Sequence, residues 1–230
     1  MQTALSTTGY TPALAAVVAR GMSPMAEERG DGHAVPMGIA RSFGKDEEIY
    51  GEGDAASWYF KVTSGVVRTY KILSDGRRQI DAFHVAGDIF GIERGESYRC
   101  SAEAVSDATV VAYRRCSLET LASGDGALAR QVVATALLNL ERAQAHMILL
   151  GRKSATEKVA TFLLDMAERV HVDAIELPMS RSDIADYLGL TIETVSRTLT
   201  QLERNAIIAL PTARRNIVLR NKAALRRLNA

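Results

Sequence analysis

Cysteine and long apolar runs are scarce in this sequence, and each scarcity excludes a class of protein. Two cysteines, Cys100 and Cys116, cannot form a disulfide framework or a four-ligand zinc site. In the C-terminal half, the longest uncharged apolar run lies between Arg130 and Glu141 and has ten residues, about half of what a membrane span needs. No basic segment precedes the short apolar patch at residues 13–18, so a signal peptide is not predicted. We expect a cytoplasmic protein without a membrane partner.

The overall composition is that of a folded protein, but the charge is unevenly distributed. Of 230 residues, 47 % are hydrophobic and 24 % are charged, which excludes a disordered or collagen-like chain. The net charge of +1 hides an asymmetry, since residues 180–230 carry nine Lys/Arg against four Asp/Glu. A basic C-terminal module on an acidic body indicates a nucleic-acid partner.

Short β-rich runs separated by glycine and aspartate extend from about Ala40 to Arg115. The Asp75-Gly76 pair between two such runs is typical of a hairpin turn, because both residues tolerate positive φ. These features predict an antiparallel β-roll at residues 36–126. Residues 1–35 lack periodicity and are assigned to an N-terminal arm.

A long helical pattern follows the roll, and it contains neither proline nor internal glycine. Apolar residues recur in it at alternating spacings of four and three, as in the seam of a two-stranded coiled coil. A helix packed on its own domain would give a similar stripe. We assign a dimerisation helix to residues 127–151. Its predicted interface consists of Val133, Ala136, Leu140, Ala143, Met147 and Leu150.

Residues 179–204 have the pattern of a helix-turn-helix. Ser180 and Asp183 fit a capping box at the start of the first helix. Gly189 can adopt the left-handed conformation that ends it, and Thr191 can cap the second helix. The buried stripe of that second helix would consist of Val195, Leu199 and Leu202. A hairpin follows in the sequence, so residues 152–230 are predicted to form a winged helix-turn-helix domain.

The opposite face of the second helix carries the predicted contacts to DNA. Arg197 offers a planar fork that suits guanine, and Glu193 can accept a hydrogen bond from a cytosine amino group. Their i,i+4 spacing would let each orient the other, although a solvated helix with a weak surface pair has the same spacing. We expect base contacts from Ile192, Glu193, Ser196 and Arg197. We expect DNA-backbone contacts from Ser180, Arg181, Thr191, Thr200, Arg214 and Arg215.

The order of β-roll, long helix and winged helix-turn-helix resembles the Crp-Fnr family of bacterial transcription regulators over nearly the whole chain. The stretch LTIETVSRTL from Leu190 is similar to the recognition helix of the Fnr and FixK branches. Their Glu-x-x-Ser-Arg pattern is matched by Glu193, Ser196 and Arg197. The run LGRKSATEKVATFLLDM from Leu150 is similar to the junction in FixK-like members.

This resemblance implies an α+β fold with a cyclic-nucleotide-binding-like roll, and a homodimer that binds palindromes close to TTGAT-N4-ATCAA. The controlled genes would serve low-oxygen respiration, denitrification or nitrogen fixation. A regulator of this kind, expected to be an activator, also contacts RNA polymerase. The hairpin around Asp75-Gly76-Arg77-Arg78 is a candidate for that contact, or it is only a solvated turn.

The roll lacks the residues that known effectors of the family require. Ile92 stands where the cyclic-nucleotide branch has a glutamate, and Tyr98-Arg99-Cys100 occupies the region of its Arg-Ser pair. The arm has no cysteine for the iron–sulfur cluster of the Fnr branch. Four histidines fit no haem pattern; they are His33, His84, His146 and His171. We therefore expect no cofactor, no metal and no small-molecule effector, as in FixK-like members.

Two alternatives remain. A ligand-gated member of the same family would bind a nucleotide or haem in the roll, and Cys100 or Cys116 could carry a redox signal. An enzyme with a cupin-like roll would need clustered histidine ligands, and His84 is the single histidine of the predicted roll strands. We therefore expect a regulator and not an enzyme.

Overall fold

The computed structural model describes residues 38–115, 126–170, 174–211 and 216–229. The predicted arm at 1–35 therefore lies outside the described residues. The same is true of five residues named above, which are His33, Cys116, His171, Arg214 and Arg215. The described residues belong to one compact unit.

Two four-stranded antiparallel sheets form the β domain, which confirms the predicted roll. Their strands are β1 (Ile39–Phe43), β2 (Glu48–Tyr50), β3 (Trp58–Ser64), β4 (Val67–Ile72), β5 (Arg78–His84), β6 (Ile89–Phe90), β7 (Ser101–Ala104) and β8 (Ala108–Arg114). One sheet has the order β1-β8-β3-β6, and the other has the order β2-β7-β4-β5. Between the sheets, alternating apolar side chains such as Val62, Val67 and Val110 are fully buried. The predicted Asp75-Gly76 turn joins β4 to β5, and Gly76 has a φ of +83°.

The remaining elements are mostly helical. The helices are α1 (Gly126–Arg152), α2 (Ala155–Val170), α3 (Arg181–Leu188), α4 (Ile192–Arg204) and α5 (Lys222–Asn229). The predicted hairpin is present as β10 (Ile208–Ala209) and β11 (Asn216–Leu219), which pair antiparallel. A third strand, β9 (Ala174–Glu176), pairs with β11 and was not predicted. Three residues are too few to show the period-2 alternation that identifies a strand in a sequence.

The outer face of the β4–β5 hairpin belongs to the core of the helical domain. Ile80 and Phe83 of β5 are buried in one apolar cluster with residues of α2, α3 and α4. A register shift between β4 and β5 leaves Asp81 without a cross-strand partner. This bulge adds one residue to β5, so Ile80 and Phe83 share a face although they are three residues apart.

The apolar core crosses the predicted boundaries between the segments of the chain. The core of the helix-turn-helix region continues into the roll through Ile80 and Phe83, and into α1 through Leu149. The segment boundaries at 35/36, 126/127 and 151/152 therefore stay a prediction. None of the helices in the described part of the chain combines the length and the apolar character that crossing a bilayer requires.

Candidate nucleic-acid interface

Helix α3 begins and ends at the residues that the sequence predicted. Ser180 Oγ accepts from the Asp183 amide at 3.0 Å, and Asp183 Oδ2 accepts from the Ser180 amide at 2.9 Å. This reciprocal pair is the predicted capping box. At the other end Gly189 has φ 61° and ψ 45°, and its amide donates to the carbonyl of Ala185. A left-handed glycine at this position ends α3 and turns the chain toward α4.

Helix α4 is fixed by its cap and by one buried side. Thr191 Oγ1 accepts from the Thr194 amide at 3.2 Å, as expected of an N-cap. The predicted inward stripe is buried as expected and packs with α3; it consists of Val195, Leu199 and Leu202. The buried side fixes the rotation of α4 about its axis, so the opposite side must face solvent.

The four residues predicted to contact bases lie together on that solvent-facing side. Ile192, Glu193, Ser196 and Arg197 are all exposed, within the first two turns of α4. Ile192, at the start of the helix, leaves 46 % of its surface accessible. The arrangement is that of side chains able to enter a major groove, although their contacts to bases stay predictions.

Glu193 and Arg197 do not orient each other as we expected. The described residues of α4 contain no ion pair between them. Hydrogen bonds from the Glu193 amide and from the Thr191 side chain lower the pKa of the Glu193 carboxyl, and the charge of Arg197 adds a smaller effect. The N-terminal turn of α4 offers amides that attract the carboxylate first. Arg197 therefore keeps its guanidinium available for another partner.

The predicted DNA-backbone contacts are only partly within the described residues. Thr191 and Thr200 are exposed on α4, and the Thr200 hydroxyl donates to the Ser196 carbonyl at 3.0 Å. Ser180 is exposed, but its hydroxyl also donates to Asp183 at 2.8 Å. Arg181 is half-buried at the first position of α3. These roles stay predictions. Arg214 and Arg215, the two contacts predicted in the hairpin turn, lie outside the described residues.

Helix α1 exposes most of its predicted seam. Accessible fractions are 56 % for Val133, 54 % for Leu140 and 67 % for Met147, and Ala136 and Ala143 are exposed as well. Among the residues of this helix whose burial the structure describes, the spacing analysis missed three large apolar residues that are exposed, Leu137, Leu138 and Ile148.

Leu150, the last predicted member of the seam, is in a different environment. It is half-buried and packs on the core of its own chain. A Cβ placed on Gly189 would lie 3.4 Å from its Cδ2 atom. Leu150 therefore contacts the turn between α3 and α4, and any part it has in a dimer interface stays a prediction.

Aromatic rings occupy the interior of the roll. The ring of Tyr50 stacks on that of Tyr98 with centroids 3.7 Å apart, and it also stacks on Phe60 and Phe90. His84 stacks on Phe90. Burial lowers the pKa of His84 to about 4, so its imidazole is neutral near pH 7.

The other candidate effector residues are engaged in contacts within the protein. Arg99 is exposed and pairs with Glu93 at 2.8 Å. His146 stacks on Tyr187 with centroids 4.2 Å apart. Burial raises the pKa of the Cys100 thiol, which lowers the thiolate fraction that oxidation needs. The described residues contain no cluster of histidine, cysteine and carboxylate side chains that could hold a metal ion.

Sequence reasoning missed a set of charged residues that join the roll to the helices. Arg68 and Arg78 bind carboxylates of α3, while Asp88 binds Arg142 of α1 and Arg169 of α2. These partners are 54 to 115 residues apart in the sequence, so no local pattern connects them.

Comparisons with known proteins agree with this architecture. Residues 157–228 match the model of the Crp-like helix-turn-helix domain, and residues 40–125 match that of the cyclic nucleotide-binding domain. The chain is 48 % identical over 219 residues to the nitrogen fixation regulation protein FixK of Azorhizobium caulinodans, covering 93 % of this chain and 88 % of FixK. It is 40 % identical over 186 residues to FixK of Rhizobium meliloti, covering 80 % and 85 % of the two chains. The solved structure of FixK2 from Bradyrhizobium japonicum superimposes with a TM-score of 0.80 at 52 % identity, covering 84 % and 98 %.

Replacing Gly189 with alanine should destabilise the turn. An L residue at this left-handed position costs about 1–2 kcal/mol, so the urea midpoint of unfolding should fall. Gly151→Ala is the matched control, because an added Cβ there has no neighbour within 4 Å and alanine favours the helix. Equal losses in the two variants would contradict the assignment of Gly189.

Proposed function

Because this chain belongs to the Crp/Fnr family of transcription regulators and is similar to FixK, we propose that it binds palindromic operators as a homodimer. The operator is close to TTGAT-N4-ATCAA, and the protein activates genes of microaerobic metabolism or nitrogen fixation in the cytoplasm. The observation that carries the proposal is the exposed face of α4. It presents Glu193, Ser196 and Arg197 together in the order of the FixK-branch recognition helix.

Recognition would take place in two adjacent major grooves. In each half-site the first turns of α4 lie in the groove, where the Arg197 fork suits guanine O6 and N7. Ile192, which is exposed, can contact a thymine methyl group. The hydroxyls and amides at the start of α3 and α4 contact phosphates and fix the register.

The exposed face of α1 supports a homodimer. Val133, Leu140 and Met147 each leave more than half of their surface accessible in one copy of the chain. A contiguous apolar surface of this kind is uncommon on a monomer. A second copy buries it by pairing the two α1 helices, with Ala136 and Ala143 allowing close approach. Pairing places two α4 helices about 34 Å apart, one turn of DNA.

We propose that binding needs no small-molecule effector. The aromatic stack of Tyr50, Phe60, Phe90 and Tyr98 occupies the roll interior, and Arg99 pairs with Glu93 at the surface. Both observations support a roll that is packed without a ligand. A ligand-gated regulator would instead bind its operator tightly only after a nucleotide or haem is added.

RNA polymerase is the proposed partner at promoters, and the tip of the β4–β5 hairpin is the proposed contact. Ile72 and Leu73 are exposed there. Arg78, which we had included in this contact, faces α3 and is taken up by its carboxylates. We therefore remove Arg78 from the proposed polymerase contact and include Ile72 and Leu73 instead.

Fluorescence anisotropy in air, without added ligand, tests the central proposal. Purified protein should bind a TTGAT-N4-ATCAA duplex selectively over a scrambled duplex. Selective binding only after cyclic nucleotide or haem is added would favour the ligand-gated alternative. A failure to discriminate under both conditions would contradict the proposed operator.

Arg197→Ala should cost about 1–3 kcal/mol per half-site and relax the preference at one base pair. The measurement is anisotropy on operators with single-base changes. Arg204→Ala removes the same charge from the far end of α4. It should weaken all duplexes alike without changing their order. An unchanged base preference in Arg197→Ala would show that this side chain does not contact the bases.

Leu140→Glu should convert the dimer to a monomer, because it places a charge at the centre of the apolar seam. Sedimentation equilibrium measures the association, and affinity for the palindrome should fall with it. Ile39→Glu is the control, since Ile39 is equally exposed but lies on β1 of the roll. Dimers of unchanged stability in Leu140→Glu would exclude α1 as the interface.

Ile72→Ala should reduce activated transcription several-fold without changing operator affinity, because it removes an apolar contact to the polymerase. Transcription in vitro with purified polymerase and an operator-containing promoter measures this. Normal activation by the variant would remove Ile72 from the proposed contact.

A further inference from the structure

Arg68 of β4 reaches from the roll to the first helix of the helix-turn-helix. Its Nη1 donates to Asp183 Oδ1 at 3.1 Å, and its Nη2 lies 2.9 Å from Glu103 Oε1 and 3.2 Å from Asp46 Oδ1. Only 7 % of the Arg68 side chain is accessible. A guanidinium so deeply buried is tolerated because each of its sides meets a carboxylate.

Arg78 of β5 binds the same helix from the adjacent strand. Its Nη2 donates to Asp183 Oδ1 at 2.6 Å, and its Nε donates to Asp186 Oδ2 at 2.8 Å. Its guanidinium also lies over the ring of Tyr70 at 5.7 Å. The fork therefore joins two carboxylates that are one turn apart on α3.

A third side chain of the hairpin reaches the end of α3. Gln79 Nε2 donates to the carbonyl of Asp186 at 2.8 Å, where the last helical carbonyls have no helical partner. The roll thus contacts α3 near both of its ends. We call the set of Arg68, Arg78 and Gln79 with their partners on α3 the clasp.

Asp183 links the clasp to the helix-turn-helix itself. Burial alone would raise its pKa, but the hydrogen bonds from Ser180 and the charges of Arg68 and Arg78 outweigh it and hold the pKa below its usual value. The same carboxylate closes the capping box of α3. A rotation of α3 away from the roll would therefore leave buried charges unpaired, which is strongly unfavourable.

The geometry points to Arg78 and Arg68 as positioning residues that fix the orientation of α3 and α4 on the roll. This orientation in turn sets the spacing between DNA half-sites that the dimer can bind. The inference rests on the proposed function, because spacing has meaning only for a dimer on a palindrome. Forked arginine–carboxylate contacts are directional, so they hold one orientation, whereas the apolar contacts of Ile80 and Phe83 tolerate sliding. Both guanidiniums bind carboxylates of the chain itself, Arg68 with Asp183 and Glu103 and Arg78 with Asp183 and Asp186.

Operators with spacers of three, four and five base pairs test this inference. Each added or removed base pair turns one half-site by about a tenth of a helical turn. Wild-type protein should prefer the four-base-pair spacer. In Arg78→Gln that preference should fall by about tenfold, the size of a typical coupling between two sites. The affinity for a duplex with a single half-site should change by the same factor in Arg78→Gln and in the control variant Arg77→Gln.

Arg77→Gln is the matched control. Arg77 is the neighbouring residue, its side chain is 76 % accessible, and it pairs with Asp75 rather than with α3. Both variants lose one positive charge, so a shared loss of affinity on every duplex reports charge and not position. Thermal unfolding is to be measured to check that both variants are folded. Asp186→Asn, which removes the partner of Arg78 Nε at a partly exposed site, replaces Arg78→Gln if that variant does not fold.

The outcomes separate the two proposals. Wild-type protein that binds none of the spacer series selectively contradicts the proposed function itself. Wild-type protein with a clear preference that Arg78→Gln retains contradicts the positioning role alone. Tighter binding of the four-base-pair operator by Arg78→Gln would also overturn the inference, because the clasp would then hold α4 away from its binding orientation.

Discussion

Strand β5 packs its outer face against the helix-turn-helix, and the rest of the described structure depends on this contact. The bulge at Asp81 places Ile80 and Phe83 on one face, where they join the core formed by α2, α3 and α4. Apolar burial supplies the attraction, which is non-directional. The charged groups around it, Arg68 and Arg78 with Asp183, supply direction. The exposed face of α4 thereby acquires a defined orientation relative to the roll.

A second charged group connects the roll to the proposed dimer helix. Asp88 lies in the turn before β6, and it binds Arg142 of α1 at 2.8 Å and Arg169 of α2. The charges of both arginines and the amide of Val85 keep the pKa of Asp88 low in spite of its burial. One carboxylate of the roll thus binds both the helix proposed to form the dimer interface and the first helix of the region that matches the helix-turn-helix domain.

Much of the candidate site could be predicted because its signals are local. Ser180, Gly189 and Thr191 specify caps and a turn through their own backbone chemistry, and the apolar spacing in α4 specifies its buried side. The exposed side of α1 followed from a heptad repeat in the same way. The expected ion pair between Glu193 and Arg197 does not form. Their spacing brings the two side chains near each other, but the amides at the start of α4 compete for the Glu193 carboxylate.

Local sequence patterns were enough to predict the α+β class, the helix-turn-helix with its caps, the exposed face of α4 and the resemblance to FixK-like regulators. These depend on residues within a few positions of one another, whose interactions are set by helical and strand periodicity. Three features depend on long-range packing: Leu150 packs on the core of its own chain, β9 pairs with β11, and Arg78 faces α3. These features join residues that are distant in the chain, such as Arg68 and Asp183. Their pairing exists only because apolar packing brings the two surfaces together and leaves buried charges that must be matched.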